Sequence, residues 1–209
     1  VRVSFCVQHH PLRPQCLERI TSKRQLGRGV EVVTDPRPQD APSPWRSYKI
    51  CLETMPAWAT HRIIVQDDAL VCPGFREAAV RAVRARPEDL VSFFCSPYPQ
   101  LCAINVVEAA ERCEHWAELF NGDWCPVVCL AWPRWMRDEF LAWSPLDVLG
   151  RSDDSVVGRW LNESGNHAIC TVPNLVQHPD DVPSVMGSDG LARHSVCYIG
   201  EYPASQIEW

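Results

Sequence analysis

The sequence predicts an α/β fold: an open central sheet, mixed but mostly parallel, flanked by helices. Three observations lead there. Short β-branched runs alternate with helical patterns, the arrangement that joins parallel strands through helices. Acidic residues recur just after strand-like runs, at Asp35 and at Asp67-Asp68, where open α/β sheets gather their ligands. The 209 residues, 46% hydrophobic and 22% charged, suffice for one ordinary domain with a real core.

Each element has its own signal. Val1–Val7 alternates apolar and polar residues and predicts a first strand, broken by His9-His10-Pro11. Pro14–Leu26 carries helical spacing at Cys16, Leu17, Ile20 and Leu26, and Gly27 and Gly29 stop it. Val30–Thr34 is a second strand, ended by Asp35-Pro36 and followed by a proline-rich polar loop, Arg37–Pro44. Ser43-Pro44 has the form of an N-cap with proline in the first turn. The helix it opens runs to Met55, with Trp45, Tyr48, Leu52 and Met55 on one face. His61–Gln66 is the third strand. Pro73–Arg86 reads as a helix with an arginine stripe (Arg76, Arg81, Arg84), and Leu90–Cys95 as a fourth strand. Ala103–Val107 reads as a short fifth strand and Glu108–Phe120 as helix. Pro126–Ala131 is an apolar run, Pro133–Trp143 and Ser152–Asn162 are helices, and Ala168–Val172 is a last strand. From Pro173 onward regular patterning fades, which predicts a segment wrapped over the core or closing over it as a lid.

Composition narrows the function. A net charge of −6 argues against a broad nonspecific nucleic-acid surface. No apolar stretch is long enough to span a membrane, and VRVSFCVQHH lacks the features of a signal peptide. The eleven cysteines are odd in number, irregularly spaced and without a CxxC pair. They read as reduced, mostly buried thiols, which implies a reducing, cytoplasmic compartment.

The stretch His61–Phe75 carries the strongest chemical signal. The apolar run Ile63–Val65 stops abruptly at Gln66-Asp67-Asp68. Two adjacent carboxylates at the end of a buried strand need a partner or a metal, and hard oxygen ligands suit Mg²⁺ or Mn²⁺ holding a substrate's phosphates. Three further features follow the same order along the chain: Asp35, the acidic pair Asp153-Asp154 opening a late helix, and His178 in Val176-Gln177-His178-Pro179. Taken singly, each has a plainer reading: a turn aspartate, first-turn acids favoured by the helix dipole, a structural histidine.

Taken together they resemble the GT-A class of nucleotide-sugar glycosyltransferases, over most of the chain from Val3 to Gly187. The resemblance implies a single GT-A-like (Rossmann-like) catalytic domain over residues 1–187. Its nucleotide-sugar-binding half is 1–100 and its acceptor-binding half 101–187, with 188–209 as a tail or lid. It implies Asp35 at the base or ribose, Asp68 and His178 as ligands of Mn²⁺ or Mg²⁺, and Asp154 as catalytic base with Asp153 as its substitute. Gln66 departs from the usual motif, which has acids at its first and third positions, and leaves open whether Asp67 is a ligand or positions one. Arg46 and Lys49, one helical turn apart, are placed to approach the donor's phosphates. Most of the nine tryptophans should be core, and Trp124, after the polar turn Asn121-Gly122-Asp123, is the candidate for acceptor binding.

The donor expected from family frequency is a UDP-sugar. The acceptor is a hydroxyl on a glycan, a lipopolysaccharide precursor or a hydroxymethylated base of phage DNA; small bacterial and phage transferases look most similar. If Asp154 lies opposite the leaving group, transfer inverts the anomeric centre. Two other classes stay open. One is another metal-dependent phosphate enzyme, such as a nucleotidyltransferase or nuclease, although Gln8-His9-His10-Pro11-Leu12-Arg13 lacks a glycine-rich phosphate loop. The other is a noncatalytic carbohydrate- or protein-binding module.

Overall fold

The computed structural model describes residues 1–98, 100–119, 124–144, 152–179, 182 and 193–209, without the side chain of Gln100. The turn Asn121-Gly122-Asp123, the Gly150-Arg151 approach to the acidic pair, Asp180-Asp181, Gly187 and residues 188–192 of the expected tail lie outside them.

Strands and helices alternate. In chain order they are β1 (Val3–His9), α1 (Pro14–Ile20), β2 (Glu31–Thr34), α2 (Pro44–Glu53), β3 (His61–Gln66), β4 (Leu70–Val71), α3 (Phe75–Ala85), β5 (Leu90–Ser92), α4 (Gln100–Glu111), β6 (Trp116–Leu119), β7 (Cys129–Pro133), α5 (Arg134–Trp143), α6 (Asp153–Ser164), β8 (Ala168–Thr171) and β9 (Val176–Gln177). Seven strands form one sheet in the order β2-β1-β3-β7-β5-β8-β6. The pairs β1–β2, β1–β3 and β5–β8 are parallel, whereas β7 and β6 run against their neighbours. The fold is therefore α/β with a mixed sheet, most of whose strands share one direction.

Side-chain alternation along the strands feeds two cores. On one face, Cys6, Ile64, Leu130 and Trp132 meet α2, α4, α5 and α6 through Tyr48, Val106, Phe140 and Trp160. On the other, Phe5, Val7, Ile63 and Val65 meet α1 and α3 through Ile20, Phe75, Ala79 and Val83. Trp132 stacks on Phe140 with ring centroids 4.9 Å apart and donates its indole N–H to Tyr48 at 2.8 Å. Trp45, Trp132 and Trp160 are buried in the core, Trp116, Trp143 and Trp209 are partly buried and pack against it, and Trp58 and Trp135 are exposed. All eleven cysteines are free thiols, and only Cys113 and Cys197 are not buried. Among the described residues no helix is long and apolar enough to cross a membrane.

Three expectations are corrected. Ala103–Val107 is helix, not strand: Cys102, Val106 and Ala109 form the buried face of α4, and this helical spacing overrides the β preference of Val106-Val107. Glu108–Phe120 is not one helix, because α4 ends at Glu111 and Trp116–Leu119 is the edge strand β6, antiparallel to β8. The first helix stops at Ile20 rather than Leu26, where Thr21 returns its hydroxyl to Leu17 O at 2.7 Å and successive turns follow. The C-terminal segment also finds partners on the core. Ala204 N–H bonds Pro73 O, Arg81 bonds Ala204 O at 2.8 Å, and Trp209 lies 5.2 Å from the Trp116 ring.

Candidate active site

Register places the polar residues. Because β2, β1 and β3 are parallel, their carboxyl ends fall on one edge: Gln8 pairs with Gln66 and His9 with Thr34. The ladder runs one step further, with Asp35 N–H on His9 O and Asp67 N–H on Gln8 O, both at 3.0 Å. Asp35, His9-His10 and Asp67-Asp68 therefore emerge side by side. The antiparallel strand β7 starts from the same edge, with Gln66 N–H bonded to Val128 O at 2.9 Å. A small ribbon brings the histidine: Leu70 of β4 pairs with Gln177 of β9, which sets His178 beside Asp68.

These ends enclose a cavity of about 330 Å³. Asp35, Asp68, Trp124, Asp153, Asp154 and His178 all line it. Six residues chosen from the sequence in well-separated segments thus share one cleft. Asp67, Arg46 and Lys49 do not line it.

The acid pair at the end of β3 is divided in its contacts. Asp67 is fully buried behind the wall. It accepts from the His10 N–H at 2.8 Å, lies 2.7 Å from His9 Nδ1 and pairs with Arg13 Nη2 at 3.2 Å. Burial nevertheless pushes its carboxyl above the usual range. Asp68 faces the cleft. Its Oδ2 is shared by Arg13 Nη1 and His178 Nε2, the latter at 3.2 Å, and its backbone carbonyl accepts from Arg19 at 2.9 Å. Burial works against ionisation, but the His178 hydrogen bond and the Arg13 charge outweigh it and hold the Asp68 carboxyl well below the usual range.

Asp68 and His178 are the residues that could hold a divalent cation, and the donor set fits one. Asp68 Oδ1 is buried without a hydrogen-bond partner, a hard oxygen left open beside an imidazole. Mg²⁺ and Mn²⁺ are commonly bound through one or two carboxylates plus substrate phosphates. Among the described residues no group of three or more His, Cys, Asp or Glu side chains is arranged to hold a metal, so such an ion would take its remaining ligands from phosphate and water.

Across the cleft stands the amino end of α6. Ser152 caps it, accepting from Ser155 N–H at 3.2 Å, and this puts Asp153 and Asp154 in the first turn. The two acids differ. Asp153 is buried, and its Oδ2 accepts amides from Gln8 at 3.1 Å and Gln66 at 3.2 Å. Burial pushes its carboxyl up to about 6. Asp154 is half-buried and accepts the Val127 N–H on Oδ1 at 3.0 Å. Burial first, and then the neighbouring Asp153 charge, raise its carboxyl well above the usual range. Its place in the lining of the cleft gives it the access to a ligand hydroxyl that a general base needs.

The Gln66 departure now has a physical account. Gln66 and Gln8, paired in register, aim their amides at one Asp153 oxygen. A carboxylate at position 66 would face Asp153 with like charge instead of donating to it.

Arg46 clamps Asp35 with two bonds of 2.7 and 2.8 Å, aided by the Arg37 N–H at 3.0 Å. Burial opposes, but these partners hold the Asp35 carboxyl below its ordinary value. Lys49 lies 3.9 Å from Glu53 on the face of α2. Sequence reasoning missed Arg13, His9, His10 and Gln8. Their signal was present in Gln8–Arg13: a polar cluster following a parallel strand, at the same edge as the acids.

Comparison with protein-family models and with curated proteins finds no match for this chain.

Proposed function

We propose that this chain is a metal-dependent glycosyltransferase of GT-A type. It would move a sugar from a nucleoside diphosphate donor, UDP being the expected carrier, to an acceptor hydroxyl on a glycan, a lipopolysaccharide precursor or a modified DNA base. One observation carries the proposal: Asp68 with His178, Asp153-Asp154 and Trp124 line a single cleft at the carboxyl edge of parallel strands. The mixed α/β sheet supports it, because ligands of such sheets gather at that edge.

The residues then divide the work. A divalent cation held by Asp68 and His178 would offset the charge of the departing diphosphate. Asp35, fixed by Arg46, presents an acceptor edge for the nucleoside. Asp154, in the lining of the cleft, takes the proton of the attacking hydroxyl. Asp153 stays pinned between Gln8 and Gln66 and sets the angle of the first turn of α6. Trp124, half-buried in the lining, offers a face on which an acceptor ring can stack. With Asp154 across the sugar from the diphosphate, displacement is direct and the anomeric centre inverts.

The test is donor hydrolysis and transfer with UDP-glucose, UDP-galactose and the N-acetyl sugars, with and without Mn²⁺. Mn²⁺-dependent release of UDP is expected. Binding of the nucleotide sugars without turnover would favour a noncatalytic module, and failure to bind any of them would remove the proposal. NMR of the product reads the stereochemistry, and a retained configuration would remove Asp154 from its place.

A further inference from the structure

Arg13 stands in the cleft between the two acids that end β3. It precedes α1, and its guanidinium spans both carboxylates, Nη2 on Asp67 Oδ1 and Nη1 on Asp68 Oδ2. The side chain is 15% exposed and lines the cavity beside His178. Its Nε is buried without a hydrogen-bond partner. Arg13 thus holds the carboxylate best placed to receive a divalent ion. A guanidinium and a divalent cation on the same Asp68 carboxylate repel each other, and guanidinium is also well shaped to grip phosphate oxygens in a bidentate fork.

Resting on the assignment of the cleft to a nucleoside diphosphate, we propose that Arg13 is an exchangeable cation. It neutralises Asp67 and Asp68 in the free chain and passes to the donor's phosphates when a divalent ion takes Asp68. No bond to carbon forms or breaks in the exchange; one ion pair is traded for another. Asp67 remains held by His9 and the His10 N–H, so the strand end keeps its shape while Arg13 moves.

Exchange predicts opposite effects on two ligands from one substitution. Arg13→Gln should bind Mn²⁺ about tenfold more tightly, because removing a positive charge beside a divalent ion is favourable even under strong screening. The same variant should bind UDP at saturating Mn²⁺ about tenfold more weakly, through loss of a charge-assisted phosphate contact. Mn²⁺ binding is read from the electron paramagnetic resonance signal of the free ion and UDP binding by calorimetry, so neither readout depends on turnover. Loss of both affinities together, or no change in either, overturns the proposal. If Arg13→Gln does not fold, Arg13→Lys serves. It keeps the charge but not the fork, so Mn²⁺ affinity should stay near wild type while UDP affinity falls, and unchanged UDP affinity overturns the proposal. Wild-type protein that binds neither Mn²⁺ nor UDP would remove the functional assignment itself, a different outcome from a wild type that binds both and a variant that shows no exchange.

Discussion

Replacing Asp153 with asparagine should make the protein more stable at neutral pH and leave it nearly unchanged in acid. Asp153 is 2% exposed, and its Oδ2 accepts from Gln8 and Gln66. Burial raises its carboxyl from 3.8 to about 6 in the folded chain. The folded state therefore holds a proton that the unfolded chain has already released between those two values. Stability contributed by the protonated group is present below the unfolded value and is lost as pH rises through the folded one. A shift of roughly two units corresponds to about 3 kcal/mol, at about 1.4 kcal/mol per unit. Asparagine has nearly the same shape, can accept both amides through its oxygen and carries no charge. The variant should match wild type near pH 4 and exceed it by about 3 kcal/mol near pH 8, with some further gain from relieving the repulsion on Asp154. Urea unfolding at several pH values measures the difference directly. A stability difference that does not vary with pH would mean that Asp153 titrates normally, and a less stable variant at pH 8 would mean that the carboxylate is itself stabilising. Either result would refute the account of this acid.

Two further outcomes test the division of roles. Asp154→Asn should keep Mn²⁺-dependent UDP binding and lose transfer by about 10²–10⁴-fold, the usual contribution of a general base; in wild type, transfer should fall as the medium is acidified through the raised proton affinity of Asp154. Near-normal turnover in the variant, measured by UDP release, moves the base elsewhere. Trp124→Ala should raise KM for the acceptor about tenfold, the loss of about 1–2 kcal/mol of aromatic contact, and leave KM for the donor unchanged; a shift in the donor KM alone would place Trp124 on the wrong substrate.

Much of the fold could be read from local pattern. His61–Gln66 falls where the strand β3 lies, because a β-branched run bounded by polar residues has few other uses. The start of α2 followed from Ser43-Pro44, and that of α6 from Ser152 before two acids. The region from α4 to β6 did not yield. Leu101, Ile104 and Val107 are exposed on α4 opposite its buried face, so the helix is apolar on both sides and its period is blurred. The Trp116–Leu119 strand is one aromatic followed by three ordinary helix formers, stabilised by pairing with β8, a partner distant in sequence. The site divides in the same way. Residue type pointed to Asp68, His178, Asp154, Asp153 and Asp35, which line one cavity, because acids and an imidazole after strands or at a helix start have recognisable chemistry. Register and packing fixed the rest. Arg46 and Lys49 share a helix with the cleft wall, but their partners are Asp35 and Glu53. Gln66 matters because β1 and β3 pair in a register that aligns it with Gln8, and no local pattern reports a register. Arg13 was hidden for the same reason: its partners lie 54 and 55 residues away, at the end of a neighbouring strand.

The central claim is that Asp68 anchors a divalent ion that in turn holds a nucleoside diphosphate. Calorimetric titration of UDP into wild type and Asp68→Asn, each with and without Mn²⁺, tests it most directly. Wild type should bind UDP at least about tenfold more tightly with Mn²⁺, and Asp68→Asn, still folded by circular dichroism, should lose that enhancement. An equal Mn²⁺ enhancement in both proteins, or none in wild type, would contradict the account.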